Sequence, residues 1–266
     1  MSPWWLVIFA AVFLIGVTKS GFGSGVGLMI VPMTALSLGH LPHFQFKDAL
    51  GLLLPLLILG DVVAVWQYRR LFSLSIVKKL LPGTAIGVLL GGAVLWFFDQ
   101  QKELAAALIQ IEIGFESVVL VGLHWWRVSR GMALHVSPSA IRSNLVGGAA
   151  GASSTLAHAA GPIIALYLLP QGLERQLFVG TCAIYFGLLN MAKVPVYIKL
   201  GQFRPDLLHL SAWMLPIVLA GATFGLWLNR RMKDGVFSRI VYCITFALGW
   251  YVLIEGTIGL VQWKHG

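Results

Sequence analysis

Apolar residues run along this chain in long blocks, separated by short stretches that hold most of the charge. Seven blocks, near 3–19, 48–66, 80–98, 104–126, 177–198, 207–228 and 240–261, approach or reach the roughly 20 residues needed to cross about 30 Å of hydrocarbon. The pattern predicts seven transmembrane helices, the first of them short. Trp4, Trp5, Trp125, Trp126 and Trp263 fall at block ends, where indole rings favour the membrane interface.

Two further stretches are apolar overall but interrupted: 20–39 (SGFGSGVGLMIVPMTALSLG) and 145–170 (LVGGAAGASSTLAHAAGPIIALYLLP). Glycine and proline inside a membrane segment free backbone groups that lipid cannot satisfy, so such breaks persist only inside protein or beside a water-filled cavity. Both stretches are expected to be broken, re-entrant hairpins; eight or more full spans is the alternative. The interruptions also repeat. Gly21, Ser24 and Pro32 match Gly151, Ser154 and Pro162 at identical spacing, and Pro82, Gly87 and Gly91 match Pro216, Gly221 and Gly225. The order of the two matches implies a duplication, with halves at 1–98 and 104–229 and a final helix at 240–261. The G-x3-G pairs suit close helix–helix packing.

Composition excludes a soluble chain. Hydrophobic residues make up 58% of the 266, charged residues 11%, and the mean hydropathy is +0.84, against about 45–50% and about 25% in soluble domains. The net charge of +9 does not signal nucleic acid, because the basic residues cluster between apolar blocks as in cytoplasmic loops. If both interrupted stretches are hairpins, the loops around 67–79, 127–144, 170–176 and 229–239 share one face and carry 12 basic residues. The other face then carries 5, and Lys19 and Lys193 lie within the membrane. A single crossing at 145–170 would divide them 10 to 7, so the positive-inside rule favours hairpins. The halves are then antiparallel. The fold expected is an all-α, multi-pass membrane protein of two inverted repeats, an architecture used by secondary transporters. Cys182 and Cys243 both lie in apolar runs and indicate neither disulfide nor metal chemistry. MSPWW carries no basic n-region, so the first block reads as a membrane segment and not a cleaved signal.

The chemistry is expected at the interruptions. In each, a polar, glycine-rich turn precedes a proline and an apolar run, which places a half-helix N-terminus in the membrane. Exposed N–H groups and the positive end of the dipole favour an anion there. Candidate substrate-binding residues are Lys19, Ser20, Gly23, Ser24 and Gly25 in the first stretch, and Ser153, Ser154, Thr155, His158 and Gly161 in the second. The hydroxyls either donate to substrate or bond their own backbone. Ionisable groups inside the membrane are costly and so are functional candidates. Lys19 either supplies charge to an anion or snorkels; Lys193 is expected to snorkel or to be paired. His158 either contacts substrate or titrates with transport, or it is a packing residue. Glu112 and Glu116, four apart on one helical face, can carry a coupling proton or cation or pair with a lysine. Asp61 is expected to pair with a loop arginine, and Asn190 to bond between helices. No cofactor or metal site is indicated. There is no H-E-x-x-H and no nucleophile elbow, so no enzyme is expected.

The glycine-rich opening GFGSGVGLMIVP resembles that of the TauE/SafE family of sulfite and organosulfonate exporters, and DALGLLLPLLILGDVVAVWQYRRL and PGTAIGVLLGG resemble that family's next helices. The second-half motifs extend the resemblance over nearly the whole chain. The sequence departs from the family's pattern at Gly23-Ser24-Gly25, where more glycines are usual, and at His158. The resemblance implies export of sulfite, or of a small sulfonate such as sulfoacetate, across the inner membrane, driven by a proton or cation gradient. The partners expected are therefore a small anion, lipid and a coupling ion. An anion channel, or an importer of another sulfur oxyanion or small carboxylate, would use the same features.

Overall fold

A computed structural model describes residues 2–21, 27–45, 48–98, 102–131, 139–168, 171, 173–231 and 234–265. Ten helices account for most of them: α1 (Trp4–Gly21), α2 (Gly27–Gly39), α3 (Asp48–Tyr68), α4 (Leu74–Phe98), α5 (Lys102–Ser129), α6 (Ala140–Ala157), α7 (Ala160–Leu168), α8 (Arg175–Lys199), α9 (Pro205–Arg231) and α10 (Asp234–His265). Among the described residues there is no strand. The chain is a multi-pass, all-helical membrane protein. Five of the helices, α1, α3, α4, α8 and α9, are long and apolar enough to cross a bilayer, and α5 and α10 cover the remaining two apolar blocks.

Large apolar side chains point outward along these helices, among them Leu6, Ile86, Leu89, Leu90, Trp96 and Phe97. In water this surface would aggregate; in lipid it needs no cover. Inside, one apolar core joins α1, α2 and α3 with α9, through residues such as Ile15, Leu38, Leu53 and Val218. A second joins α6, α7 and α8 with α4, through Val77, Val88, Ile164 and Leu189. A small third cluster, Leu50, Leu54, Leu95 and Tyr197, sits where α3 meets α8.

The glycine spacing explains which helices lie closest. On α4, Gly83, Gly87 and Gly91 face Asn144, Gly148 and Ala152 of α6, so the two helices run parallel in register. A Cβ on Gly91 would lie 2.9 Å from the Ala152 carbonyl oxygen; one on Gly87 would meet the Gly148 carbonyl closer still. Gly221 and Gly225 of α9 pack in the same way on Phe13, Gly16 and Val17 of α1. Small residues allow such backbone approach, where dispersion and weak polar contacts replace the hydrophobic drive that lipid removes. The packing role expected for the G-x3-G pairs is therefore what the structure contains.

The second stretch is broken inside its expected bounds, though not at its glycines. Residues 20 and 21 still belong to α1, and α6 continues through Gly147, Gly148 and Gly151, which face Leu80, Gly83 and Thr84 of α4. These glycines serve packing and do not break the helix. The break falls at His158, which takes a left-handed conformation (φ 53°, ψ 25°) and caps α6, its N–H donating to the Ser154 carbonyl at 2.9 Å. Histidine is among the few residues that adopt this region with any frequency. α7 then starts at Ala160 and packs back against α6. Pro162 is the third residue of α7, where its missing N–H costs nothing, but Pro32 is the sixth of α2 and forfeits one helical bond.

Candidate functional site

α3 and α8 cross the centre of the molecule antiparallel, Asp61 beside Gly187 and Asn190, Leu54 beside Tyr197. On α8, Asn190, Lys193 and Tyr197 stand at i, i+3 and i+7 and so share one face. That face meets α3, the end of α1 and the end of α6, and every polar group on it is committed.

Lys19, in the last turn of α1, donates to Oδ1 of Asp61 at 2.5 Å, while the Asn190 amide donates to Oδ2 at 2.5 Å. The Lys19 side chain is 13% exposed and that of Asp61 3%. The Lys19 ammonium also lies 4.8 Å from the centre of the Phe186 ring, a cation–π distance. One turn further along α8, Lys193 is wholly buried. Its ammonium donates to the Ser154 carbonyl (3.2 Å), the Ser154 hydroxyl (2.9 Å) and Nδ1 of His158 (2.7 Å). His158 Nε2 lies 3.1 Å from the Leu50 carbonyl, which can only accept. The ring hydrogen is therefore on Nε2, and the Nδ1 lone pair is left for Lys193. Tyr197 closes the row, its hydroxyl donating to the Thr155 carbonyl at 2.7 Å.

Two buried lysine side chains thus stand against one carboxylate. Among the described residues no acid bonds to Lys193, whose three donors all end on neutral acceptors. A charge there would be costly in a low-dielectric interior, and an anionic ligand beside Lys193 would offset that cost.

The sequence candidates divide accordingly. Asp61 pairs with Lys19 and not with a loop arginine, because α1 brings the lysine to its level (Lys19 also touches Gly60). Lys193 does not snorkel. Asn190 makes the interhelical bond expected of it. Ser154 and His158 engage Lys193, whereas the Thr155 hydroxyl returns to its own helix at Gly151 (2.8 Å). Ser153 is buried beside them, and Gly161 lies half-buried in the first turn of α7. Ser20 is fully buried, and its hydroxyl has no hydrogen-bond partner among the described residues. Gly23, Ser24 and Gly25 lie outside the described residues, as does the side chain of Glu116. Glu112 is half-buried on α5. The two groups of candidates meet α3 at different heights. Lys19 meets α3 at Asp61 and His158 meets it at Leu50, about 16 Å apart at 1.5 Å per helical residue. Side chains of α8 bridge that interval. Tyr197 and Tyr68, whose hydroxyl bonds the Ser20 carbonyl at 3.3 Å, were not singled out from sequence; the i+4 spacing of Tyr197 from Lys193 was the available signal.

The model of the family "Sulfite exporter TauE/SafE" matches residues 8–252. No curated protein and no solved structure matches the chain. A match over that length places it: the chain belongs to the TauE/SafE sulfite exporter family.

Proposed function

We propose that this TauE/SafE member is a secondary transporter that carries a small anion outward across the bacterial inner membrane by alternating access, with sulfite or a small organosulfonate as substrate. The observation that carries the reading is the placement of two buried lysines, Lys19 and Lys193, beside a single acid, Asp61, at the α3–α8 crossing. The N-terminus of α7, two residues beyond His158, adds the positive end of a helix dipole to the same place.

The packing supports an inverted repeat with halves of five helices, α1–α5 and α6–α10. α1 packs on α9 as α6 packs on α4; α3 pairs with α8, and α5 with α10. An odd number of helices inverts the second half relative to the first. These bounds differ from a division at 98 and 104 in making α5 the last helix of its half. The anion would then sit where the two halves meet, which is where rocking of one half against the other exposes a fixed site to alternate faces. Glu112, or His158 with Lys193, would serve a coupling proton.

A ligand thermal-shift panel on detergent-solubilised protein tests this, with sulfite, sulfate, thiosulfate, sulfoacetate and small carboxylates. Sulfite or sulfoacetate should raise the melting temperature and enter proteoliposomes down an imposed gradient, and Lys19→Ala or Ser154→Ala should weaken both effects. No shift with any sulfur oxyanion would remove the substrate assignment. Flux far above carrier turnover would replace the carrier with a channel.

A further inference from the structure

Beside the corner between α3 and α4 lies a cavity of about 660 Å³, bordered by Gln67, Tyr68, Arg69, Arg70, Gln176 of α8 and Leu226 of α9. At roughly 30 Å³ per water in the liquid, it has room for a small anion with its hydration shell. Among the described residues, none of the side chains that border it is acidic. The Arg69 guanidinium lies 5.5 Å from the centre of the ring of Trp66, which also borders the cavity, a cation–π distance. The cavity opens on the basic face, which the positive-inside rule assigns to the cytoplasm.

Its walls are fixed. The Ser73 N–H donates to the Thr181 hydroxyl at 2.9 Å, and the corner lies so close to α8 that a Cβ on Gly180 would meet the Leu71 carbonyl. Two of its lining residues lead to the end of α1. Tyr68 reaches the Ser20 carbonyl at 3.3 Å, and Leu226 follows Gly225, which packs against Val17 and Gly21. Two helices that border the cavity therefore meet α1 within two residues of Lys19, and the hydroxyl of Ser20, unpartnered among the described residues, lies at the same place. From Tyr68 to Asp61 is seven residues of α3, about 10 Å.

We propose that this cavity is an anion vestibule: Arg69 and Arg70 concentrate small oxyanions from the cytoplasmic face, and Tyr68 separates them from the Lys19–Asp61 pair. The role as an entry to transport rests on the anion-carrier reading above; the electrostatic character of the cavity does not. A charged funnel of this kind raises local anion concentration by about tenfold or more and loses the effect at high salt.

The test places a single thiol at Gln176→Cys in a background carrying Cys182→Ser and Cys243→Ser. Reaction rates with anionic and cationic methanethiosulfonates of similar size are compared at low and high salt. The anionic reagent should react faster, by about tenfold at low salt, and Arg69→Gln with Arg70→Gln should abolish that preference. An unreactive thiol, or equal rates for the two reagents, would overturn the vestibule. In proteoliposomes the double arginine variant should raise KM for sulfite more than it lowers kcat; an unchanged KM would overturn the link to the site. A thiol with the expected preference in a protein that transports no sulfur anion would leave the vestibule standing and sink the substrate assignment instead.

Discussion

Lys19 and Asp61 join the end of α1 to the middle of α3 through a 2.5 Å ion pair that is nearly closed to solvent. Asn190 holds the second carboxylate oxygen, so the pair also ties in α8. Removing one partner leaves the other charge buried, which costs about 3–5 kcal/mol, while removing both is often close to neutral. Asp61→Asn should therefore destabilise strongly, and Lys19→Met added to it should restore most of the loss. Urea or thermal unfolding of the two single variants and the double variant reads this as a coupling energy. Additive losses would show that the pair is not an energetic unit.

Lys193 carries the opposite expectation. Its amino group bonds no acid among the described residues, so Lys193→Met removes a costly buried polar group while keeping most of the volume. The variant should melt at or above the wild-type temperature and lose the stabilisation that anions confer. A protein that unfolds well below wild type would mean that Lys193 is structural.

His158 combines a backbone role with a side-chain role, and these can be separated. Glycine adopts a positive φ without strain, so His158→Gly keeps the cap of α6 and deletes only the ring. We expect a folded protein whose anion stabilisation is altered, and His158→Val, strained at φ 53°, should lower stability further. Equal behaviour of the two variants in a melting assay would deny the backbone role.

The glycines give a contrast within one residue type. Gly87→Ala would drive a Cβ into the Gly148 carbonyl, and the parallel contact of α4 with α6 leaves no room to yield. It should cost about 1–3 kcal/mol, as overpacking does. Gly122→Ala, in α5 with nothing within 4 Å among the described residues, should be neutral or gain roughly 0.5–1 kcal/mol from reduced backbone freedom. Comparable losses at the two sites in thermal unfolding would refute the packing account.

Length, hydropathy and basic loops determined on their own that the chain is an all-helical membrane protein, and where most of its helices run, because lipid leaves the backbone few other choices. Motif spacing was enough for the family resemblance and for the small-residue faces of α4 and α9. Sequence also put Lys19, Lys193, Asp61, Ser154 and His158 forward, since ionisable and hydroxyl groups inside apolar runs stand out. It could not decide what a glycine in such a run is for. Gly147, Gly148 and Gly151 looked like a break and proved to be a packing surface, because only the position of α4 reveals that their missing side chains are occupied by another backbone. Nor could it choose partners. Asp61 and Lys19 are 42 residues apart, and Lys193 and His158 are 35 apart; which charges neutralise each other depends on helix heights and rotations set by packing across α3 and α8. Tertiary structure alone made that choice, and with it left Lys193 bonded to no acid among the described residues.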